Sequence, residues 1–289
     1  MHAVVFAYHD VGVHCLKTLL EAGIEVDLVV THEDDPKENV WFGSVVKLCQ
    51  EKNIPYITPS ASVLSTLIPK LQQIAPDYLF SFYYRHMIPA EVLACAKIAA
   101  LNMHGSLLPK YRGRAPVNWA ILHGEIETGA TLHVMEAKPD AGDIVEQSTV
   151  EIGPDETATD VFAKVSKAAV DTLTKALPEL VLGRVPRKPN ELGKGSYFGG
   201  RKPEDGRIHW NQSAFQVHNL VRAVAPPYPG AFIDYQGHRM IVARTSLKGP
   251  FPGNLNLEAS GVQLVDNRVF GICGDHQAVE ILDWFPAND

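Results

Sequence analysis

The chain contains 289 residues, a length that exceeds the usual single domain and predicts one large domain followed by a smaller one. With 46% hydrophobic and 20% charged residues, the composition is that of an ordinary globular protein with a substantial core. The formal net charge of -7 argues against a nucleic-acid partner, because binding a polyanion requires clustered Lys and Arg.

The N-terminus and the cysteines indicate the compartment. The first residues lack a basic start, a long apolar segment and a cleavage site, and no later apolar run reaches about 18 residues. The cysteines form no CxxC pair and show no metal-like spacing with histidine (Cys15, Cys49, Cys95 and Cys273). We therefore expect a cytoplasmic protein with reduced thiols, no metal site and no membrane partner.

Alternating strand and helix patterns predict an α/β fold with a Rossmann-like, mostly parallel sheet. A buried strand at residues 3–7, a helix at 11–22 and a strand at 24–30 form a β-α-β start. The patterns that follow predict helices at 43–52 and 63–74 and strands at 55–58, 77–82 and 98–104. The first loop lacks the G-x-G-x-x-G pattern, so NAD is not the expected cofactor.

The stretch at 102–109, Asn-Met-His-Gly-Ser-Leu-Leu-Pro, contains the clearest functional signal. Asn102 and His104 follow an apolar run, and on a strand their side chains share one face. Because polar side chains there are costly to bury without partners, the pair predicts a site. Asp140 lies in a turn-rich segment between strand-like runs at 129–135 and 143–152, from which its carboxylate can return to the same place.

These three residue types suit acyl transfer to an amine. A positioned histidine moves a proton, an asparagine amide holds a developing oxyanion, and a carboxylate orients the imidazole and favours its charged form. A covalent Ser, Cys or Lys nucleophile is not required, because the attacking group is the amine of the substrate.

The second half of the chain is interrupted by a linker. Helices are predicted at 117–123 and 157–182, and the composition then changes to a segment rich in Pro, Gly and basic residues. A short helix at 214–223 and five alternating runs between 231 and 284 predict a small, OB-like β-barrel. The predicted domains are a catalytic Rossmann-like domain at 1–183, a linker at 184–205 and a C-terminal barrel at 206–289.

The motifs resemble the 10-formyltetrahydrofolate-dependent formyltransferases along essentially the whole chain. The matching pieces are the stretch at 102–109, Tyr111-Arg112-Gly113, Thr128-Gly129 and Asp140-Ala141-Gly142-Asp143. Within this family, the segments at 5–10, 80–86, 113–119 and 221–225 resemble the formyltransferase part of the bifunctional enzyme that modifies UDP-4-amino-4-deoxy-L-arabinose. That resemblance implies a role in lipid A modification and polymyxin resistance.

The resemblance also implies roles for individual residues. His104 is expected to transfer the proton, Asn102 to stabilise the transition state and Asp140 to raise the pKa of His104. The co-substrate 10-formyltetrahydrofolate is expected to bind to two strand-end segments and one loop residue (His86, Met87, Ile88, Arg114, Glu136, Ala137, Lys138 and Pro139).

Arg201 and Arg222 are the expected contacts for the diphosphate of a sugar nucleotide. Arginine suits that group because it can bind phosphate oxygens through two parallel N–H bonds. A solvated position on the surface is the alternative interpretation for both side chains.

Three functions fit the sequence. The first is transfer of a formyl group from 10-formyltetrahydrofolate to the amine of a sugar nucleotide, with UDP-4-amino-4-deoxy-L-arabinose as the expected substrate. The second is a methionyl-tRNA formyltransferase, but the basic insertion of that group corresponds here to an acidic loop at 33–38, which opposes RNA binding. The third is a formyltetrahydrofolate hydrolase, in which water replaces the amine.

Overall fold

The computed structural model describes residues 1–33 and 41–287, so the acidic loop lies outside the described residues from Asp34 onward. The chain divides into two compact units that each combine separate segments. The first unit contains Met1–Gly113, Thr128–Val150 and Lys164–Tyr197, and the second contains Arg114–Glu127, Glu151–Ala163 and Phe198–Asp289. The linear division into domains at residues 183 and 205 stays a prediction.

The strands are numbered in chain order: β1 His2–Ala7, β2 Glu25–Val30, β3 Tyr56–Ile57, β4 Tyr78–Phe82, β5 Ala99–His104, β6 Arg112–Gly113, β7 Glu127–Val134, β8 Ile144–Glu151, β9 Tyr197–Phe198, β10 Ala231–Tyr235, β11 His238–Ser246, β12 Gly261–Val265, β13 Arg268–Ile272 and β14 Ala278–Pro286. The α-helices are α1 His9–Glu21, α2 Val45–Lys52, α3 Ile68–Ile74, α4 Ala90–Leu93, α5 Pro116–Leu122, α6 Ala158–Val181 and α7 Ala214–Val224.

A seven-stranded sheet organises the first unit. Its strand order is β3-β2-β1-β4-β5-β7-β8, in which β3, β2, β1, β4 and β5 are parallel and β7 runs antiparallel to β5. The chain therefore has a mixed α/β fold with a Rossmann-like, mostly parallel sheet, as the alternating patterns predict.

The parallel strands are apolar because both of their faces are covered. On one face, residues of β1, β2 and β4 pack against the segment 61–74 and the start of α4 in one buried cluster (Val4, Phe6, Leu28, Val30, Leu64, Leu71, Leu79 and Val92). The buried hydroxyl of Tyr78 donates to the carbonyl of Leu180 in α6 at 2.9 Å, which satisfies this polar group inside the core. Ala100 of β5, the strand that contains Asn102 and His104, belongs to the same buried cluster.

Two predicted helices compare differently with the structure. The long helix predicted at 157–182 is α6, and it begins where the Asp160 carboxylate accepts the backbone N–H of Thr157 at 2.9 Å. The helix predicted at 63–74 is instead a 3₁₀ segment, Ala61–Leu67, followed by α3. Pro69 explains the break, because its missing N–H interrupts a continuous α-helix.

Among the residues that the structure describes, no helix is both long and apolar enough to cross a bilayer.

The predicted linker contains short ordered elements. Strand β9 pairs with β6, and the N–H of Arg112 donates to the carbonyl of Ser196 at 3.0 Å. Turns of 3₁₀ helix occupy Leu192–Lys194 and Pro203–Gly206. A two-residue strand has no periodicity, so only the folded chain shows that this segment is paired with β6.

The second unit contains α5, α7 and a five-stranded antiparallel sheet in the order β10-β11-β14-β13-β12. Helix α7 starts with a capping box formed by Ser213 and Gln216, as its polar-then-apolar sequence favours. A Cβ at Gly271 of β13 would collide with the ring of Trp210, so glycine is required at this position. The predicted antiparallel β-structure is confirmed. In the strand order, β10 and β12 stand at the two edges and are not paired with each other as in a closed barrel, so the OB-like topology stays a prediction.

Candidate active site

Strand β5 brings Asn102 and His104 to one face of the first unit's sheet. The two residues are separated by one position, so the pleat directs both side chains the same way. His104 is buried and Asn102 is partly buried between β4 and β7, which pair with β5 on either side. The polar face that the sequence predicts is therefore present at the end of an otherwise apolar strand.

Asp140 returns to this face from the turn between β7 and β8. Its Oδ1 lies 3.5 Å from Nδ1 of His104, and its Oδ2 accepts the N–H of Gly113 at 2.8 Å. Asn190 holds the turn by donating to the carbonyls of Asp140 and Gly142, both at 3.1 Å. Asp140 has a φ of 50°, a left-handed conformation that Asp tolerates better than most residues. The amide of Asn102, the imidazole of His104 and the carboxylate of Asp140 therefore lie on the same face, as the sequence predicts.

His133 is a further member of this cluster that the sequence patterns did not single out. It lies on β7 directly opposite Asn102, and it is buried. Its Nε2 is 3.0 Å from Nδ2 of Asn102 and 3.5 Å from Oδ1 of Asp140. The available signal was a histidine inside the apolar run of a predicted strand, and it becomes informative only when the register between β5 and β7 is known.

The other ring nitrogen of His104 is bound to the loop after β5. Nε2 lies 2.8 Å from the carbonyl of Tyr111. Because a carbonyl only accepts hydrogen bonds, Nε2 carries the proton in the neutral ring, and Nδ1 is the basic nitrogen. Nδ1 is the atom that faces Asp140, so a proton that arrives there is stabilised by the carboxylate.

Burial and charge determine which groups are ionised. Burial lowers the pKa of His104 below 6.5, although Asp140 and the Tyr111 carbonyl raise it. Burial raises the pKa of Asp140, but the neighbouring His104 and His133 and the N–H of Gly113 outweigh that effect and hold the pKa of this carboxyl well below 3.8. Near neutral pH the site therefore combines a carboxylate with a neutral imidazole that can accept a proton.

Each expected folate segment adjoins a residue that packs in one hydrophobic cluster of the first unit. Ile88 is buried in the cluster against which Met135, directly before Glu136, is also packed. Met87 is 62% exposed, and His86 contacts the ring of His32 edge-on at 4.6 Å. Most of the second segment is exposed (Glu136, Ala137 and Lys138), and Pro139 is half-buried. The folate role of these residues stays a prediction.

Arg114 belongs to the second unit. Its backbone N–H donates to the carbonyl of Phe198 at 3.0 Å, and its side chain passes beside Gly200. Its expected folate contact also stays a prediction.

Arg201 lies on a cavity inside the second unit. Its guanidinium is 4.9 Å from the ring of Trp119, and Nη2 donates to the carbonyl of Asp205 at 2.8 Å. Its Nε is buried and has no hydrogen-bond partner within residues 1–33 and 41–287. The cavity has a volume of about 170 Å³, and polar and apolar residues line it (Ala115, Asn118, Lys202, Pro203, Val224 and Tyr228 among them). Arg201 thus lines a concave site.

Arg222 has a different environment from the one expected for a phosphate ligand. It is buried, and Nε donates to Oδ1 of Asn219 at 2.9 Å. Nη1 donates to the carbonyls of Gly153 and Glu156 at 3.3 and 3.2 Å. These contacts connect α7 to the chain before α6, so the side chain has a structural role here, and its substrate role stays a prediction without support from its contacts.

One cluster in the described part of the chain has the geometry of a metal-binding group. The ligand atoms of His2, Glu25 and Asp27 lie within 4.8 Å of one another. His2 and Glu25 are exposed and Asp27 is half-buried, and His2 is close to both carboxylates, so the group is accounted for as surface ion pairs.

Solved structures share this fold along most or all of their length. WlaRD, a sugar 3N-formyl transferase in the presence of dTDP and 5-N-formyl-THF, is 20% identical, with a TM-score of 0.75 over 100% of this chain and 98% of that chain. A 4-N formyltransferase from Francisella tularensis is 24% identical, with a TM-score of 0.68 over 84% and 96%. Methionyl-tRNA formyltransferase from Clostridium thermocellum is 18% identical, with a TM-score of 0.61 over 100% of both chains.

Sequence models of one family match both parts of the chain. The formyl transferase model matches residues 3–177, which is more than half of the sequence and includes Asn102, His104, His133 and Asp140. The model of the formyl transferase C-terminal domain matches residues 201–285. The chain therefore belongs to the formyl transferase family.

Proposed function

We propose that this formyltransferase moves a formyl group from 10-formyltetrahydrofolate to the amine of a sugar nucleotide. The observation that carries the proposal is the convergence of Asn102, His104 and Asp140, in which an ionised carboxylate lies 3.5 Å from the basic nitrogen of a neutral imidazole. These groups suit a reaction in which an amine loses a proton while a carbonyl oxygen gains negative charge.

The roles of the three residues follow from their chemistry. When bound, 10-formyltetrahydrofolate supplies the formyl carbon that the amine attacks. Asn102 donates an N–H to the oxygen that gains charge, and His104 accepts the proton that the amine loses. Asp140 stabilises the resulting imidazolium until His104 gives the proton to the departing nitrogen.

The folate site is supported by the packing of its two segments. Ile88 belongs to a buried cluster against which Met135 also packs, so the segment that ends at Ile88 and the segment that follows Met135 both adjoin this cluster in the first unit. The exposed Met87 thioether is a flexible, polarisable surface of the kind that packs well against a flat ring.

The cavity of the second unit supports a nucleotide-bearing substrate. The cationic side chains of the lining residues Arg201 and Lys202 suit phosphate oxygens, while Pro203 and Val224 offer apolar surface. Among sugar nucleotides, we propose UDP-4-amino-4-deoxy-L-arabinose on the resemblance of the segments at 5–10 and 80–86. WlaRD is a sugar 3N-formyl transferase crystallised with dTDP, which makes dTDP-amino sugars the first competitors to test.

A substrate panel tests this proposal directly. The protein is incubated with 10-formyltetrahydrofolate and, separately, UDP-4-amino-4-deoxy-L-arabinose, dTDP-3-amino and dTDP-4-amino sugars, initiator methionyl-tRNA, or no amine. We expect a formamide product with the UDP sugar and slow or no release of formate without an amine. Formylation of tRNA alone, or equal turnover without any amine, would contradict the proposal in favour of the tRNA enzyme or the hydrolase.

A further inference from the structure

His133 is held in one tautomer by its own strand. Its Nδ1 lies 2.8 Å from the carbonyl oxygen of Val134, which can only accept a hydrogen bond. Nδ1 therefore carries the ring proton, and in the neutral imidazole Nε2 has a free lone pair. The protein backbone thus makes the buried edge of His133 an acceptor.

That acceptor is directed at the amide of Asn102. Nε2 of His133 lies 3.0 Å from Nδ2 of Asn102, so one amide N–H is bound to the ring. If the amide were turned over, its oxygen would face the lone pair of Nε2 and the contact would be repulsive. With Nε2 as an acceptor, His133 selects the orientation of Asn102 in which the second N–H remains available as a donor.

We propose that His133 is a positioning residue for formyl transfer, which acts by keeping the amide nitrogen of Asn102, rather than its oxygen, directed into the catalytic cluster. The inference rests on the proposed function, because Asn102 must be the donor to the developing oxyanion for this orientation to affect the rate. Asp140 and His104 are the ionisable groups that face His133. Asp140 Oδ1 lies 3.5 Å from Nε2 and would accept a hydrogen bond from a proton there, so a ring protonated at Nε2 is the competing state that the experiments below test.

Two amide substitutions, each of which places a polar atom near the position of one ring nitrogen, distinguish the role of Nε2 from that of Nδ1. His133→Gln places an amide oxygen near the position of Nε2, so an acceptor for Asn102 is retained. His133→Asn keeps a donor near the position of Nδ1 but has no acceptor within reach of Asn102. We expect His133→Gln to keep kcat within about threefold of wild type and His133→Asn to lower it about 10- to 100-fold, with KM values for both substrates nearly unchanged. Equal activity of the two variants would overturn the proposal.

A double-mutant cycle tests whether His133 acts through Asn102. In an Asn102→Ala background, His133→Asn should lower kcat by less than about twofold further, because the amide that it orients is already absent. A loss as large as in the wild-type background would show that His133 acts independently and would overturn the proposal. His14→Gln, on the exposed face of α1, is the matched control and should leave kcat unchanged in both backgrounds.

The tautomer of His133 is measurable without turnover. Nitrogen-15 NMR of histidine-labelled protein, with the signal assigned by its loss in His133→Gln, should show a neutral ring protonated at Nδ1. A ring protonated at Nε2, or at both nitrogens, would overturn the inference. If wild-type protein formylated no amine, the proposed function would fail, and the NMR result would still decide whether His133 accepts from Asn102.

Folding is checked on the same samples. Thermal unfolding and binding of tetrahydrofolate, followed by fluorescence, should be alike in the Gln and Asn variants. If His133→Asn unfolds, it is replaced in the cycle by His133→Ser, which also lacks an acceptor near the position of Nε2 and is expected to lose activity in the same way.

Discussion

The two units each contain a histidine beside an aspartate, and the comparison shows why the pairing alone does not identify a catalytic site. His104 lies 3.5 Å from Asp140, and His218 lies 3.6 Å from Asp155. Both imidazoles are buried, and burial lowers the pKa of each ring. The distances and the histidines are therefore nearly equivalent in the two places.

The difference lies in the carboxylates. The Asp140 side chain is 14% exposed, whereas that of Asp155 is 44% exposed and forms an ion pair with Lys248. The ring of His218 is bound on both sides, by Thr245 at 2.9 Å and by the carbonyl of Pro154 at 3.0 Å, as a structural histidine would be. The candidate active site is distinguished by a carboxylate that lies close to two imidazoles and, among the residues that the structure describes, has no lysine or arginine partner.

The largest expected effect comes from removing the charge of each carboxylate in turn. Asp140→Asn should lower kcat about 10²- to 10⁴-fold, because the imidazolium at His104 loses its counter-charge. Asp155→Asn, the same chemical change in the other pair, should leave kcat within about twofold. Steady-state rates with saturating substrates measure both, and Asp143→Asn controls for a change in the turn itself. Comparable losses in the Asp140 and Asp155 variants would show that the two pairs are not functionally distinct.

An intermediate effect is expected on stability from the structural pair. His218→Leu leaves the hydroxyl of Thr245 and the carbonyl of Pro154 without their buried partner, and each unpaired group costs about 1–3 kcal/mol. The free energy of unfolding, measured with urea, should fall by that order while kcat of the folded enzyme is retained. His14→Leu on the surface should change stability by less than about 0.5 kcal/mol. An unchanged unfolding midpoint for His218→Leu would refute the structural role.

The smallest effect is expected in the pH dependence of stability. The folded-state pKa values of His104 and His218 lie below 6.5, so the unfolded chain binds protons first as the pH falls through 6.5. The protein should therefore lose stability between about pH 7 and pH 5, by at most about 1.4 kcal/mol per pH unit for each histidine. His218→Gln should lower this slope by up to about 1.4 kcal/mol per pH unit, the contribution of one histidine proton. Urea midpoints at several pH values measure it, and parallel slopes for both proteins would contradict the assignment.

Much of the fold follows from periodicity along the sequence. The strands β1, β2, β4 and β5 are apolar runs, and α1 and α6 have one apolar face, so local patterns locate them to within a few residues. The break before α3, the pairing of β6 with β9 and the division into two units of interleaved segments depend on distant residues, so local patterns do not reveal them.

The sequence alone predicted that Asn102, His104 and Asp140 form the site. An amide and an imidazole two residues apart on a strand cost free energy to bury without partners, and a turn between two strands can bring a carboxylate to them. Only the tertiary structure added His133 to this cluster, since its partner Asn102 is set by the register between β5 and β7. It also separated Arg201, which lines a cavity, from Arg222, whose Nη1 donates to carbonyls of the chain before α6. The physical reason is that a side chain's type follows from the sequence, whereas its burial and its partners depend on which distant segments pack around it.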